Sequence, residues 1–250
     1  MRSRGFVLWV CLLTFRFTAA RAADLDPLWN RAVATVTQAG GSVASRIETR
    51  TEVYNGDEEL MEAHDKIQTL AGWNGQEAMW KTERTHTVVQ KSGLTVAIDL
   101  GAKDNPFFAS SEGRASQERA GEDTLDGHSC IIFRFEETPP PSAPSQREKK
   151  DEIGPLVGTA WLDGETGTPH KLVYCPKKLP KHVSVYELTV YFSVLPDSST
   201  VPRALDMHMK AGFLWYKRIV RLHKNFSGWT RPPDAVAKDP SPGTEPADTR

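Results

Sequence analysis

The stretch GTAWLDGETGTPHKLVYCPKKLPKHVSVYELTVYFSVLPDSSTVPRALDMHMKAGFLWYKRIVRLHKNFSGW, residues 158–229, decides the fold and reads as a succession of strands. The first strand, 157–163, ends at Asp163, a tight turn uses Gly167, and Pro169 leads into a strand over 171–175. Turn residues at such positions mark where the backbone reverses. A Pro-Lys loop follows at 176–181. In the strand predicted over 183–194, Tyr186, Leu188, Val190, Phe192 and Val194 share one face. Val201, Leu205, Met207, Met209 and Ala211 do the same in the next, centred on 205–210. In the last, 213–226, Leu214, Tyr216, Val220, Leu222 and Phe226 oppose Lys217, Arg221, His223 and Asn225. Period-two alternation places one face of each strand in a core and the other in water.

Working outward, Asp24 or Asp26 caps a helix with Pro27 in its first turn, where a missing N–H is harmless. Leu28, Ala32, Val36 and Ala39 recur at helical spacing until Gly40-Gly41, predicting about 14 residues of helix with Trp29 near its start. From 43 to 54 the pattern switches to period two, and Asn55-Gly56-Asp57 signals a hairpin. Residues 58–71 fit either a helix or a strand, and the turn before them favours the returning strand. Asn74-Gly75 leads to a strand over 78–89, and Ser92-Gly93 to another over 94–100. The polar segment 101–127 carries Pro106-Phe107-Phe108 and a helix-compatible run over 110–120, a short element to pack on the sheet. Ile131, Phe133 and Phe135 then share one face of a strand over 130–136. Four prolines and the run Gln146-Arg147-Glu148-Lys149-Lys150 make 138–152 a flexible loop rather than a domain boundary. Eight or nine strands, one N-terminal helix and no βαβ alternation indicate an α+β domain on one antiparallel sheet.

The ends of the chain read differently. Arg2 and Arg4, the apolar run 5–15 and the small-residue site Ala20-Arg21-Ala22 form a secretory signal peptide over 1–22. Val10 is too large for a lipobox before Cys11, so the exported chain begins near Ala23 without a lipid. The domain is expected over 23–229, with 230–250, rich in proline and free of aromatics, as a disordered tail. Among 250 residues, 31 basic side chains face 32 acidic ones. Four of the basic ones lie in the first 22 residues, which hold no acid, so the remainder is acidic by about −5. That balance excludes nucleic acid as a partner. No apolar run approaches the ~20 residues a helical span needs.

Chemical motifs are missing. There is no GxSxG, P-loop, HExxH or GxGxxG, and no enzyme activity or cofactor is expected. Glu48 and Glu52 alternate with Arg46 and Arg50 on a strand's outer face, a solvated charge ladder. His128-x-Cys130 lacks the companion CxxC or HxxxH of a zinc site, His64, His86, His170 and His208 are scattered singly, and no metal is expected. Cys130 and Cys175 form a possible disulfide in an oxidising compartment, worth ~4 kcal/mol by loop closure. In a simple meander they lie two strands apart, ~9.5 Å, past the ~7 Å limit for a bridge. A disulfide therefore requires the proline-rich loop to change the strand order.

The order strand–Asp163–turn–Pro169–strand, the Pro-Lys loop and the two long strands after it resemble the LolA-like superfamily, outer-membrane lipoprotein-sorting proteins of Gram-negative bacteria. Asp126-Gly127-His128-Ser129-Cys130 before a Phe-rich strand, and the N-terminal helix followed by a hairpin, are similar in order too. The resemblance spans 24–229, most closely after Gly154. It implies a strongly curved sheet, an incomplete β-barrel, with the helix covering its concave face. It also implies a periplasmic monomer that carries acyl chains of lipids or lipoproteins and meets membrane-bound donor and acceptor proteins. A sensory envelope domain of the RseB type is the alternative within the same fold. The family's ligand-holding arginine cannot be placed by motif in this sequence, so no individual binding residue is carried over from the resemblance. The residues themselves nominate a lining for an apolar cavity: Phe133, Phe135, Leu188, Val190, Phe192, Met207, Met209, Tyr216 and Val220. For each of them plain core packing is the competing role.

Overall fold

Asp26 starts the first helix. Its carboxylate accepts from the backbone N–H of Leu28 at 2.9 Å, Pro27 sits in the first turn, and α1 runs Pro27–Gln38. The computed structural model describes residues 25–90, 106–111, 113–138, 155–213 and 216–233. The expected signal peptide, the strand over 94–100, nearly all of the proline-rich loop and the tail beyond 233 lie outside these residues. After α1 come β1 (Val43–Tyr54), β2 (Leu60–Asn74), β3 (Glu77–Gln90), α2 (Pro106–Ser111), β4 (Ala115–Leu125), β5 (His128–Glu137) and β6 (Leu156–Asp163). Four more strands complete the order: β7 (Pro169–Pro176), β8 (Val183–Val194), β9 (Thr200–Phe213) and β10 (Tyr216–Thr230).

Among the described residues, the ten strands form one antiparallel sheet in the order β3-β2-β1-β10-β9-β8-β7-β6-β5-β4, which does not close into a barrel. Strands adjacent in sequence pair with one another except β3 and β4, which lie at opposite ends of the order. The sequence-distant pair β1 and β10 joins the N-terminal three strands to the rest, from Val43↔Thr230 to Tyr54↔Ile219. Local chemistry sets the turns. Asn55 Oδ1 accepts from the N–H groups of Asp57 and Glu59, both at 2.9 Å, so 58–71 returns as the strand that the hairpin signal favoured. Past β10, Arg231 reaches Asp197 at 2.7 Å and ties the end of that strand to the β8–β9 turn.

One expected element is corrected. The helix-compatible run over 110–120 is helical only to Ser111, and residues 115–125 form β4. β4 is an end strand, mostly exposed on both faces, so its side chains carry no alternation to reveal it. Backbone pairing with β5, from Ala115↔Glu137 to Leu125↔His128, makes it a strand. Glu118, Arg119, Glu122 and Asp123 suit such an edge, since charge discourages a further strand from adding there.

α1 is held at both ends. Arg31 donates to the Glu165 carbonyl at 2.9 Å and Gln38 to that of Asp197 at 3.3 Å. Gly167, at φ +77°, lets the β6–β7 turn come against the helix, because a Cβ there would lie 2.7 Å from the Leu28 carbonyl oxygen. Asp26 also pairs with Arg119 at 2.6 Å. That hydrogen bond, foremost, holds the Asp26 carboxyl below its ordinary value of 3.8. The folded chain thus binds this proton more weakly than the unfolded chain, and the stabilisation is complete above the unfolded value. Asp26→Ala is expected to cost about 1 kcal/mol at neutral pH through the lost cap. In urea titrations at several pH values, the gap from the parent should hold constant down to about pH 5 and shrink below about pH 4.

Cys130 and Cys175 are free thiols. Cys130 pairs with Asp163 at one end of β6 and Cys175 with Val157 at the other. Those positions are six residues apart, about 20 Å along the strand. β5, β6 and β7 follow one another as a simple meander, so no bridge joins them, and burial pushes both thiols up in pKa.

Candidate functional site

Cross-strand register turns the alternation of single strands into continuous apolar rows. One row runs Phe135, Gly158, Tyr174, Leu188, Met207 and Leu222 across β5 to β10. A second runs Phe133, Ala160, Leu172, Val190 and Leu205 across β5 to β9. Every side chain in these rows is buried in one cluster, which also holds Leu28, Trp29, Ala32 and Val36 of α1 and Phe107 of α2. The Trp29 ring centroid lies 5.1 Å from that of Phe107, 5.6 Å from Phe133 and 6.0 Å from Phe135. Phe107 in turn meets Phe192 edge-on at 5.9 Å. The indole N–H donates to Ser110 Oγ at 3.1 Å, and that hydroxyl donates to the Pro106 carbonyl at 2.9 Å. The one polar group of Trp29 is therefore satisfied within the apolar region.

Of the nine nominated lining residues, Phe133, Phe135, Leu188, Val190, Phe192, Met207 and Val220 sit in this cluster. Met209 is half-buried at its margin with Tyr186 and Phe226. Tyr216 stands apart at the β9–β10 hairpin, 43% exposed, with the Arg218 guanidinium 4.1 Å from its ring centroid. The largest side chains of the cluster that the nomination left out include Trp29, Phe107, Leu162, Leu172 and Tyr174. The alternation of Leu172 with Tyr174 was readable, but the face it shares with Phe133 follows only from register.

The first apolar row ends at β10 and the second at β9. Beyond Leu222 the same row continues as Thr51, His64 and Thr87, and beyond Leu205 the second becomes Lys224, Thr49 and Lys66. Glu62 on this side is 2% exposed, with its carboxylate 3.5 Å from His64 Nε2. The opposite face of the sheet carries a shallow groove of about 330 Å³ among Arg50, Glu52, Asp206, His208, Arg221 and His223. Two of its pairs are Arg50 with Glu52, at 2.8 Å, and His223 with Asp206; further along β1, Arg46 reaches Glu48 at 2.8 Å, which continues the expected ladder. The Tyr54 hydroxyl, at 2.7 Å, and Arg50 hold the Glu52 carboxyl below its ordinary value, so it stays ionised rather than poised to exchange a proton near neutrality.

No family model matches the chain, and no curated protein sequence does. Among solved structures, the chain is similar to members of the LolA superfamily and to related domains. An outer membrane lipoprotein-sorting domain from Vibrio parahaemolyticus aligns at 11% identity and a TM-score of 0.38, over 81% of this chain and 93% of its own. A DUF1329 family protein from Desulfovibrio piger aligns at 13% and 0.38, over 84% and 92%. A LolA superfamily protein from Nitrosomonas europaea aligns at 7% and 0.37, over 83% and 92%.

Proposed function

We propose that this chain is an exported, periplasmic carrier of acyl chains, from lipids or lipoproteins, with no catalytic chemistry of its own. One observation supports this most directly. Among the described residues, an apolar face six strands wide, β5 to β10, has a 12-residue helix and a 6-residue helix packed against it and no other helix. In this reading α1 covers the concave side of a curved sheet, and Trp29 and Phe107 occupy space that an acyl chain takes when the helices shift. The half-buried margin at Tyr186, Met209 and Phe226 is the entry. Each buried methylene contributes ~0.8 kcal/mol, so a single enclosed chain gives useful affinity.

Native mass spectrometry of residues 23–250 purified from a bacterial periplasm tests this. Adducts at lipid masses are expected, and Met209→Lys should deplete them at least tenfold. Met209 lies at the margin of the cluster, so the variant should retain its fold, which a melting curve would verify. A clean apo mass that persists after incubation with phospholipid and acylated peptide would overturn the carrier. It would leave the chain as a protein-binding envelope domain.

A further inference from the structure

The β4–β5 turn, the end of β6 and the start of β7 bring together three side chains that are far apart in sequence. We infer that His128, Asp163 and His170 form a binding site for a divalent transition-metal ion of the zinc class. One ligand atom from each lies within 4.8 Å of the others. The imidazole rings of His128 and His170 stack with centroids 4.5 Å apart and 27° between their planes. His170 Nε2 is buried and makes no hydrogen bond, and it faces Asp163 Oδ2 at 3.8 Å.

The surrounding structure orients these donors. Asp163 Oδ1 is fully engaged by its own turn, accepting from the Glu165 N–H at 3.1 Å, the Thr166 N–H at 2.8 Å and the Thr166 hydroxyl at 2.9 Å. The other oxygen, Oδ2, faces His170. Hydrogen bonds that fix a ligating carboxylate in this way are what metal sites use to hold their first ligands. His170 is the extra residue of a bulge. Leu162 pairs with Pro169 and Trp161 with Lys171, so His170 has no partner position on β6. Bulges re-aim a side chain in this manner. Asp126, two residues before His128, adds negative charge nearby and is countered by Arg203 at 3.7 Å.

The donor set selects the ion. Two imidazoles and one carboxylate suit Zn²⁺, Co²⁺ or Ni²⁺, whereas Ca²⁺ and Mg²⁺ favour oxygen alone. Bonds of about 2.0–2.2 Å to a tetrahedral ion put donor atoms about 3.3 Å apart. Contraction from the observed spacing takes side-chain rotations of about 1 Å. Water completes the fourth position. A bound ion would fasten the ends of β5, β6 and β7 together, next to the turn that receives α1.

Titration of the full, chelator-stripped chain with Zn²⁺ by calorimetry tests the site, with Co²⁺ as a second probe read by its visible absorption. The expected result is one ion per chain, a raised melting temperature and the intense Co²⁺ bands of a four-coordinate centre. Asp163→Asn keeps an acceptor oxygen for the turn and should weaken binding at least tenfold. His128→Ala should do the same. His223→Ala, on a histidine paired with Asp206 elsewhere on the sheet, should leave the affinity unchanged. No saturable uptake, or uptake that survives both Asp163→Asn and His128→Ala, would overturn the site. So would uptake lost with His223.

Discussion

Trp29→Ala is expected to lower unfolding stability by about 3–5 kcal/mol, the largest loss from any single truncation in α1. The side chain has no exposed surface and touches rings contributed by α2 and β5. Its removal forfeits the transfer energy of the indole and leaves a void among Phe107 of α2 and Phe133 and Phe135 of β5, which are anchored on two different elements and cannot all collapse inward. It also leaves Ser110 Oγ without its donor. Urea denaturation followed by circular dichroism reads the loss, and a change below about 1 kcal/mol would show that α1 is not held by this contact. Trp29→Phe should recover about half. Under the carrier reading, the same variant enlarges the space between helices and sheet, so its lipid adducts should increase while its stability falls.

Gly158→Ala is expected to cost about 3 kcal/mol, although it adds a single methyl. Gly158 lies in the row between Phe135 and Tyr174. A Cβ built there comes within 2.7 Å of both Phe135 Cζ and Tyr174 Cβ, and closer still to the Val173 carbonyl oxygen. The ring could swing aside, but a ladder carbonyl cannot move without disturbing the β6–β7 pairing. Overpacking is therefore relieved only by separating two central strands. Equilibrium unfolding measures the penalty. A melting temperature within 1–2 °C of the parent would show that this part of the sheet yields more easily than its register implies.

Several elements were legible because the chemistry that makes them is local. α1 followed from Asp26, Pro27 and the spacing of Leu28, Ala32 and Val36, and the structure places it at Pro27–Gln38. β8 spans Val183–Val194, the predicted residues, because every second side chain there is apolar. The turn at Gly167 was readable from its residues, and the structure adds the reason for the glycine, the Leu28 carbonyl pressed against it. β4 was illegible because an edge strand wet on both faces has no period to read. Tyr216 was grouped with Val220 by parity, yet it falls at the hairpin end of its strand, where the helices do not reach and Arg218 covers it instead.

The candidate sites divide in the same way. Alternation marked Phe133, Leu188, Val190 and Met207 as inward-facing, since parity along a strand needs no knowledge of its neighbours. It could not show that these residues join rows with Ala160, Leu172 and Leu205, because register is a relation between strands. His128, Asp163 and His170 looked like isolated residues for the same reason. Their meeting depends on three adjacent strands ending together and on a bulge that turns one histidine out of the ladder. Apart from β4, the described strands, the faces of most of their residues and most of their turns were legible residue by residue, because those obey short-range backbone and side-chain preferences. Strand order, the joining of β1 to β10, the apolar rows and the histidine–aspartate cluster were decided by tertiary structure alone, because each requires segments distant along the chain to be set in one register.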